Sequence, residues 1–154
     1  MSRLRLLFEF LQPVAAVALV GALLFAATGI GPPMVAVESG SMQPTLERGD
    51  LVVVSEPARY GPDSADGIVT ARGADGFRSL GGPGNVVVYM PPDRLGSPII
   101  HRARFHVEEG ENWYDRANED WVAGAENCEQ LTNCPAPNAG YVTKGDNNSY
   151  YDQA

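Results

Sequence analysis

The longest apolar stretch of the chain runs from Phe10 to Val37 without a charged residue. A helix needs about 20 consecutive apolar residues to cross a bilayer. We therefore predict a transmembrane helix over residues 10–31, ended by the glycines and prolines of residues 29–33. A cleavable secretory signal, cut near Ala27, and a buried core helix are the alternatives. The length of the uncharged stretch argues against the core helix.

The charges that flank this stretch predict its orientation. Arg3 and Arg5 precede it, and acidic residues dominate the chain after it. Positively charged flanks remain on the cytoplasmic side of a membrane. We therefore expect a single-pass protein of the cell membrane, with residues 1–9 in the cytoplasm and residues 34–154 outside it.

Beyond the helix, short runs of β-branched residues alternate with turn-forming residues. Residues 58–84 are predicted to form a long loop, with at most a weak strand at 67–71, and residues 108–139 an acidic, loop-rich insertion with at most one strand. No segment after residue 38 has helical periodicity. The pattern predicts a mainly β chain, in which a transmembrane helix precedes an antiparallel β domain. Strands are expected in MVAVES, LVVVSEP, NVVVYMPP, SPIIHRARFHVEEG and the start of YVTKGDNN.

Composition narrows the classes of function. The chain has 154 residues and a net charge of -8, and this acidity argues against a nucleic-acid-binding protein. Lys144 is the only lysine among the 11 basic residues, and an acidic, lysine-poor chain is typical of a high-salt habitat. The sequence contains no motif for a metal or a nucleotide, so we predict no cofactor.

Two cysteines, Cys128 and Cys134, lie close together in NCEQLTNC. They have no neighbouring histidine or second cysteine pair that would suggest a zinc site. A small local disulfide is predicted if this part of the chain lies outside the cytosol. Two free thiols are the alternative.

The segment ESGSMQPTLERGD, directly after the apolar stretch, places Ser41 on a predicted tight turn. A serine nucleophile needs such an exposed hydroxyl and a base within hydrogen-bond reach, although a plain polar loop is the alternative. His101 is a candidate general base, and a structural histidine is the alternative. An odd offset of five residues places His106 on the opposite face from His101 if the strand is regular. A carboxylate usually orients such a histidine, and Asp146 and Asp152 are candidates, or simply turn residues.

Four segments, SGSMQPTLERGDLVVV, GNVVVYMPP, PIIHRARF and YVTKGDNNSYYD, occur in this order after the apolar stretch. In this combination the chain resembles type I signal peptidases, more narrowly the archaeal and endoplasmic-reticulum branch with histidine in place of the bacterial lysine. The resemblance implies a signal-peptidase-like antiparallel β catalytic domain. It also implies a serine endopeptidase that removes signal peptides from exported preproteins by cutting after small residues. The acidic composition adds the expectation of a halophilic archaeal source.

The resemblance also assigns residues to the reaction. It makes Ser41 the nucleophile and His101 the general base. It matches Asp152 to the acidic residue that orients the histidine. Asp146 matches the aspartate of GDNN, which would share that role or hold Arg102 in an ion pair.

Two further residues receive roles from the same resemblance. The hydroxyl of Ser39, with the backbone N–H of Ser41, would bind the oxyanion. Lys144 falls in the TKGD segment rather than at the position of the base, so a structural role is expected. Asn85 stands where the family usually has an aspartate, in a position that would cap a turn.

Family members usually continue beyond this point with another strand and often a second transmembrane helix. The resemblance therefore predicts that the C-terminal end is truncated, which would leave Asp152 in a frayed tail if the last strands are missing. The alternative functions are a catalytically inactive anchored β domain that binds preproteins or a partner, and an enzyme with a Ser–Lys pair like the self-cleaving repressors. The expected partners are preprotein signal peptides, the lipid membrane and the secretion translocon.

Overall fold

The computed structural model describes residues 3–61, 66–91 and 95–154. Residues 1–2 of the predicted cytoplasmic segment and residues 62–65 of the predicted long loop lie outside these ranges. Within them, one long N-terminal helix, α1 (Arg3–Thr28), precedes short strands arranged in small antiparallel sheets.

Helix α1 contains the apolar stretch Leu7–Thr28, whose mean hydropathy is 2.2 and whose most apolar part is not buried inside the protein. The helix is thus long and apolar enough to cross a membrane. It ends at Thr28, before the predicted boundary at residue 31, because Gly29 adopts a φ of 78° and donates its N–H to the carbonyl of Phe25 at 2.8 Å. It begins before residue 10 because Arg, Leu and Glu are favourable helix residues.

The carboxyl end of α1 accepts hydrogen bonds from residues 56–60. Nε of Arg59 and the hydroxyl of Tyr60 each donate to the carbonyl of Ala27 at 2.5 Å, and Arg59 Nη2 donates to that of Ala26. The N–H of Glu56 donates to the carbonyl of Thr28 at 2.9 Å. The last carbonyls of a helix have no partner within it, so these bonds supply the missing donors.

Seven strands follow α1 in the described residues, and they form three antiparallel sheets of orders β1-β2, β3-β4 and β5-β6-β7. The predicted strands are all found, although they are shorter than the predicted runs. The seven strands are β1 (Met34–Ala36), β2 (Leu51–Val53), β3 (Arg78–Ser79), β4 (Gly82–Pro83), β5 (Val86–Tyr89), β6 (Ile99–Val107) and β7 (Gly140–Lys144).

The two places that were predicted to contain at most one strand each, residues 67–71 and 108–139, contain none in the described chain. No strand forms at residues 67–71 in the described chain; Val69 instead donates its N–H to Oδ1 of Asn85 at 2.7 Å. The predicted insertion contains short 3₁₀ turns rather than a strand. Because α1 has 26 residues and the longest strand has nine, the chain is a helix followed by small antiparallel sheets rather than a clearly β structure.

Residues 108–139 were predicted to be loop-rich, yet they supply much of the larger hydrophobic core. Trp113 and Val122 are each 1% exposed there and pack with residues of β6, β7 and the C-terminal segment. Cys128 and Cys134 form a disulfide inside the same cluster. The insertion therefore folds as part of the domain.

The register between β6 and β7 shifts in the middle of the strands. Ala103 pairs with Thr143, but the next pairs are Phe105 with Val142 and His106 with Tyr141. The extra residue on β6 is a bulge, and it returns the side chain of His106 to the face that carries His101. Opposite faces were expected only for a regular strand, and the bulge means that this condition is not met. The two histidines are still about 16 Å apart along the strand.

Candidate active site

The turn that carries Ser41 is anchored by its neighbour in the sequence. Met42 is completely buried and packs with Val37 and Leu46 in a small cluster against the sheet. The N–H of Leu46 donates to the carbonyl of Met42 at 3.0 Å, which closes the turn after the serine. The hydroxyl of Ser41 lies 3.1 Å from that of Ser39.

The turn is also held from the other end of the chain. Asn147 donates its backbone N–H to the carbonyl of Ser41 at 2.8 Å and its side-chain amide to the carbonyl of Gly40 at 3.1 Å. The N–H of Asp146 points to the sulfur of Met42 at 3.4 Å. The SGSM and GDNN segments are therefore in direct contact.

His101 lies on β6, is 7% exposed and is bonded to a carboxylate. Its Nδ1 is 2.6 Å from Oδ2 of Asp152. The same oxygen accepts from the hydroxyl of Thr143 at 2.7 Å and from that of Tyr89 at 3.1 Å. A carboxylate only accepts hydrogen bonds, so this arrangement favours the tautomer with the proton on Nδ1 and leaves Nε2 able to accept a proton.

Strand geometry explains why these groups meet. Tyr89 pairs with Ile99, two residues before His101, and Thr143 pairs with Ala103, two residues after it. Side chains two residues apart on a strand share a face, so the three polar side chains project from the same side of the sheet. Asp152 lies beside β7, where its N–H donates to the carbonyl of Thr143 at 2.9 Å. Asp152 is thus held by β7 and is not in a frayed tail.

Asp146 lies in a different environment. It accepts from Nη2 of Arg102 at 2.6 Å and from Nη2 of Arg104 at 3.0 Å. Burial disfavours its ionised form, but the hydrogen bonds and charges of the two arginines outweigh this and hold the pKa of Asp146 below its ordinary value. No hydrogen bond among the described residues joins Asp146 to His101, so Asp152 is the carboxylate beside the histidine.

Lys144 is 4% exposed. Within the part of the chain that the structure describes, no hydrogen bond joins its side chain to Ser41. Its Nζ donates to the carbonyl of Gly145 at 3.0 Å and lies 4.6 Å from the ring centroid of Trp121. Burial, with the charge of Arg104, lowers the pKa of Lys144. Through these contacts the Lys144 side chain packs against the rest of the domain.

In the described structure, no hydrogen bond joins Ser41 to His101. Gly145 directly follows Lys144, the last residue of β7, which pairs with Arg102. A Cβ added to Gly145 would lie 2.6 Å from the carbonyl oxygen of Ser41. Gly145 therefore lies directly against the serine turn, and the hydroxyl of Ser41 is turned towards Ser39.

A cavity of about 490 Å³ opens beside the same strands. Val52 of β2, Val86 and Val88 of β5, and Ile100 are among its lining residues. Ile100 directly precedes His101, so its side chain projects from the opposite face of the strand, and Ser41, His101 and Asp152 are not among the residues that line this cavity.

Sequence reasoning missed several residues that build this site. Tyr89 and Thr143 could have been found from the alternation of their strands, but only if the pairing had been known. Asn147 carried no signal beyond its position after Asp146. Within the described residues, no group of three or more His, Cys, Asp or Glu side chains is arranged to hold a metal ion.

Comparison with known proteins does not identify a relative. A scan against family models found no match, and searches of curated proteins and of solved structures found none either.

Proposed function

We propose that this chain is a membrane-anchored serine endopeptidase that removes signal peptides from exported preproteins and cuts after small residues. The observation that carries the proposal is the 2.6 Å contact between Nδ1 of His101 and Oδ2 of Asp152, five residues after Asn147, which bonds the turn of Ser41. A nucleophile, a base and a carboxylate that orients the base form the usual arrangement for peptide hydrolysis by serine.

In the proposed reaction, the hydroxyl of Ser41 attacks the scissile carbonyl while Nε2 of His101 takes its proton. The histidine then gives this proton to the leaving amine, and water hydrolyses the acyl-enzyme by the same route. Asp152 stabilises the imidazolium that forms. The reaction requires the hydroxyl of Ser41 to rotate away from Ser39 when substrate binds, and catalytic hydrogen bonds commonly tighten only in the substrate complex.

The oxyanion would be bound by the N–H of Ser41 and the hydroxyl of Ser39. No hydrogen bond of the described residues uses the N–H of Ser41, so this donor is available to a substrate. Once the serine hydroxyl has rotated, the hydroxyl of Ser39 is released from its 3.1 Å contact as well. Two donors directed at one oxygen stabilise the charge of a tetrahedral intermediate.

The location of the site suits a substrate that is still in the membrane. Ser41 follows the end of α1 by a short segment that includes β1. An extended peptide could pair with a strand edge beside the serine turn. In this proposal residues 1–9 are cytoplasmic, the site faces the extracytoplasmic side near the translocon, and the acidic chain comes from a halophilic archaeon.

The bond of Ser41 to Ser39, rather than to His101, favours one alternative function. In it the domain is catalytically inactive and binds preproteins or a partner at the membrane. The Ser–Lys alternative finds less support, because Nζ of Lys144 is bonded to the carbonyl of Gly145 and stacked on Trp121.

The test is to incubate the full chain in detergent, over a range of salt concentrations, with a preprotein reporter and to sequence the new N-terminus. We expect a cut after a small residue that is lost in Ser41→Ala and in His101→Ala. His106→Ala is the matched control and should keep cleavage, because it lies far from His101 on the same face. Cleavage by Ser41→Ala would refute the mechanism, and no cleavage by the wild-type chain at any salt concentration would favour the inactive domain.

A further inference from the structure

Tyr151, directly before Asp152, is anchored in the aromatic core that residues 108–139 build. Its ring makes edge-on contacts with Trp121 at 5.5 Å and with Trp113 at 6.0 Å between centroids. Its N–H donates to the carbonyl of Trp121 at 3.0 Å, and its hydroxyl accepts from the N–H of Asn118 at 3.1 Å. Tyr151 is 6% exposed, so these contacts hold both its backbone and its ring.

The residue after Asp152 is fixed as well. The side-chain oxygen of Gln153 accepts from the N–H of Thr143 at 3.0 Å. The backbone carbonyl of Gln153 accepts from the side-chain amide of Asn133, within residues 108–139, at 3.5 Å. Asp152 is therefore held on both sides, and its carboxylate has little freedom to leave His101.

Hydrogen bonds and a disulfide connect distant parts of residues 108–139 to each other. The segment can therefore hold the C-terminal residues that pack against it. Gly110 donates its N–H to the carbonyl of Ala136 at 2.8 Å, and Ala136 donates to Glu111 at 2.9 Å. Nε1 of Trp113 donates to the carbonyl of Asn133 at 2.7 Å. A disulfide between Cys128 and Cys134 closes the loop between these contacts.

We propose that residues 108–139 are a positioning element for the Ser–His–Asp site: Trp113 and Trp121 hold Tyr151, and Tyr151 holds Asp152 at hydrogen-bond distance from His101. The inference rests on the proposed function. Tyr151 and Trp121 are positioning residues, since their effect on the reaction passes through the carboxylate of Asp152. Removing the ring of Trp121 frees Tyr151 on one side, so the Asp152 carboxylate samples positions away from Nδ1.

The first measurement follows the hydrogen bond itself. The Nδ1 proton of His101, in a short bond to a carboxylate, should give a downfield proton resonance in the detergent-solubilised chain. Asp152→Asn, which alters the acceptor, identifies this resonance. We expect Trp121→Ala to weaken or broaden it and Trp121→Phe, which keeps an aromatic ring, to restore it. An unchanged resonance in Trp121→Ala would overturn the inference.

The second measurement follows the reaction. Because a displacement of about 1 Å can cost up to about a hundredfold in rate, Trp121→Ala should lower kcat by about tenfold or more with KM within about twofold. In an Asp152→Asn background the same change should cost nothing further, since both act through one contact. An additive loss in the double variant would show that Trp121 acts by another route.

The matched control is Tyr114→Ala, a second aromatic truncation in the same segment. The Tyr114 hydroxyl bonds to the carbonyl of Ala125 at 3.2 Å, and in the described residues its ring has no aromatic contact with Tyr151. If Tyr114→Ala lowers kcat as much as Trp121→Ala, general loosening explains both and the inference fails. If the wild-type chain cuts nothing but its resonance responds to Trp121→Ala, the positioning stands and the proposed function fails.

Discussion

Gly145→Ala would test how closely the serine turn depends on the turn that follows β7. An added Cβ would lie 2.6 Å from the carbonyl oxygen of Ser41 and 2.9 Å from the side chain of Asn148, whereas Cβ contacts below 3.0 Å essentially do not occur. Asn148 can rotate away, but the Ser41 carbonyl belongs to the backbone and also accepts from Asn147 at 2.8 Å. The serine turn must therefore move by about 0.4 Å or more relative to β7 to relieve the contact.

A displacement of this size reaches the proposed reaction directly. Because about 1 Å of misplacement can cost about a hundredfold in rate, we expect kcat to fall by about tenfold while KM stays within about twofold. Overpacking at a backbone contact should also lower the free energy of unfolding by about 1–3 kcal/mol.

The assay compares reporter cleavage and thermal unfolding of Gly145→Ala with those of Gly140→Ala. Gly140 begins the same strand, and a Cβ there would have no atom within 4 Å, so this control carries the same substitution without the collision. The reasoning is refuted if Gly145→Ala matches Gly140→Ala in both kcat and midpoint of unfolding.

Two other predictions concern stability. Replacing both Cys128 and Cys134 by Ser opens a loop of seven residues, which should lower the free energy of unfolding by about 2 kcal/mol in a denaturant titration; no change would mean that packing alone holds residues 108–139. For Asp146, the folded-state pKa lies below its ordinary value of 3.8, so the ionised carboxyl stabilises the fold above that pH and the contribution is lost as the pH falls through the folded-state pKa. The difference in unfolding free energy between the wild type and Asp146→Asn should therefore shrink between pH 6 and pH 3, and a constant difference would contradict this origin.

The elements that follow from local pattern were predictable. The uncharged stretch specified a helix, and Gly29 ended it because a left-handed residue cannot continue the helical hydrogen bonds. The valine-rich runs specified strands. The extra residue between Ala103 and Phe105 left no mark in the sequence, because a bulge depends on the register of two strands that are far apart in the chain. Because of this bulge, the alternation of a regular strand does not apply to His106.

The site was predictable in its parts but not in its contacts. Spacing and resemblance suggested Ser41, His101 and two aspartates, and left the choice between Asp146 and Asp152 open. Arg102 decides the geometry, since it occupies Asp146 with two hydrogen-bonding nitrogens and leaves Asp152 to the histidine. The core formed by residues 108–139 could not be predicted from the sequence, because its apolar residues follow neither a helical nor a strand period.

The bonds from Arg59 and Tyr60 to the carbonyl of Ala27 have a consequence for where a substrate would be cut. The domain cannot tilt on α1 without breaking these bonds, so if α1 crosses a membrane as proposed, the depth of the helix fixes the height of the domain above the bilayer. The proposed peptidase would then cut its substrates at a fixed distance from the membrane surface. Lengthening a substrate between its apolar segment and its cut site would then move the new N-terminus along the chain, while the distance from the bilayer to the cut stayed constant.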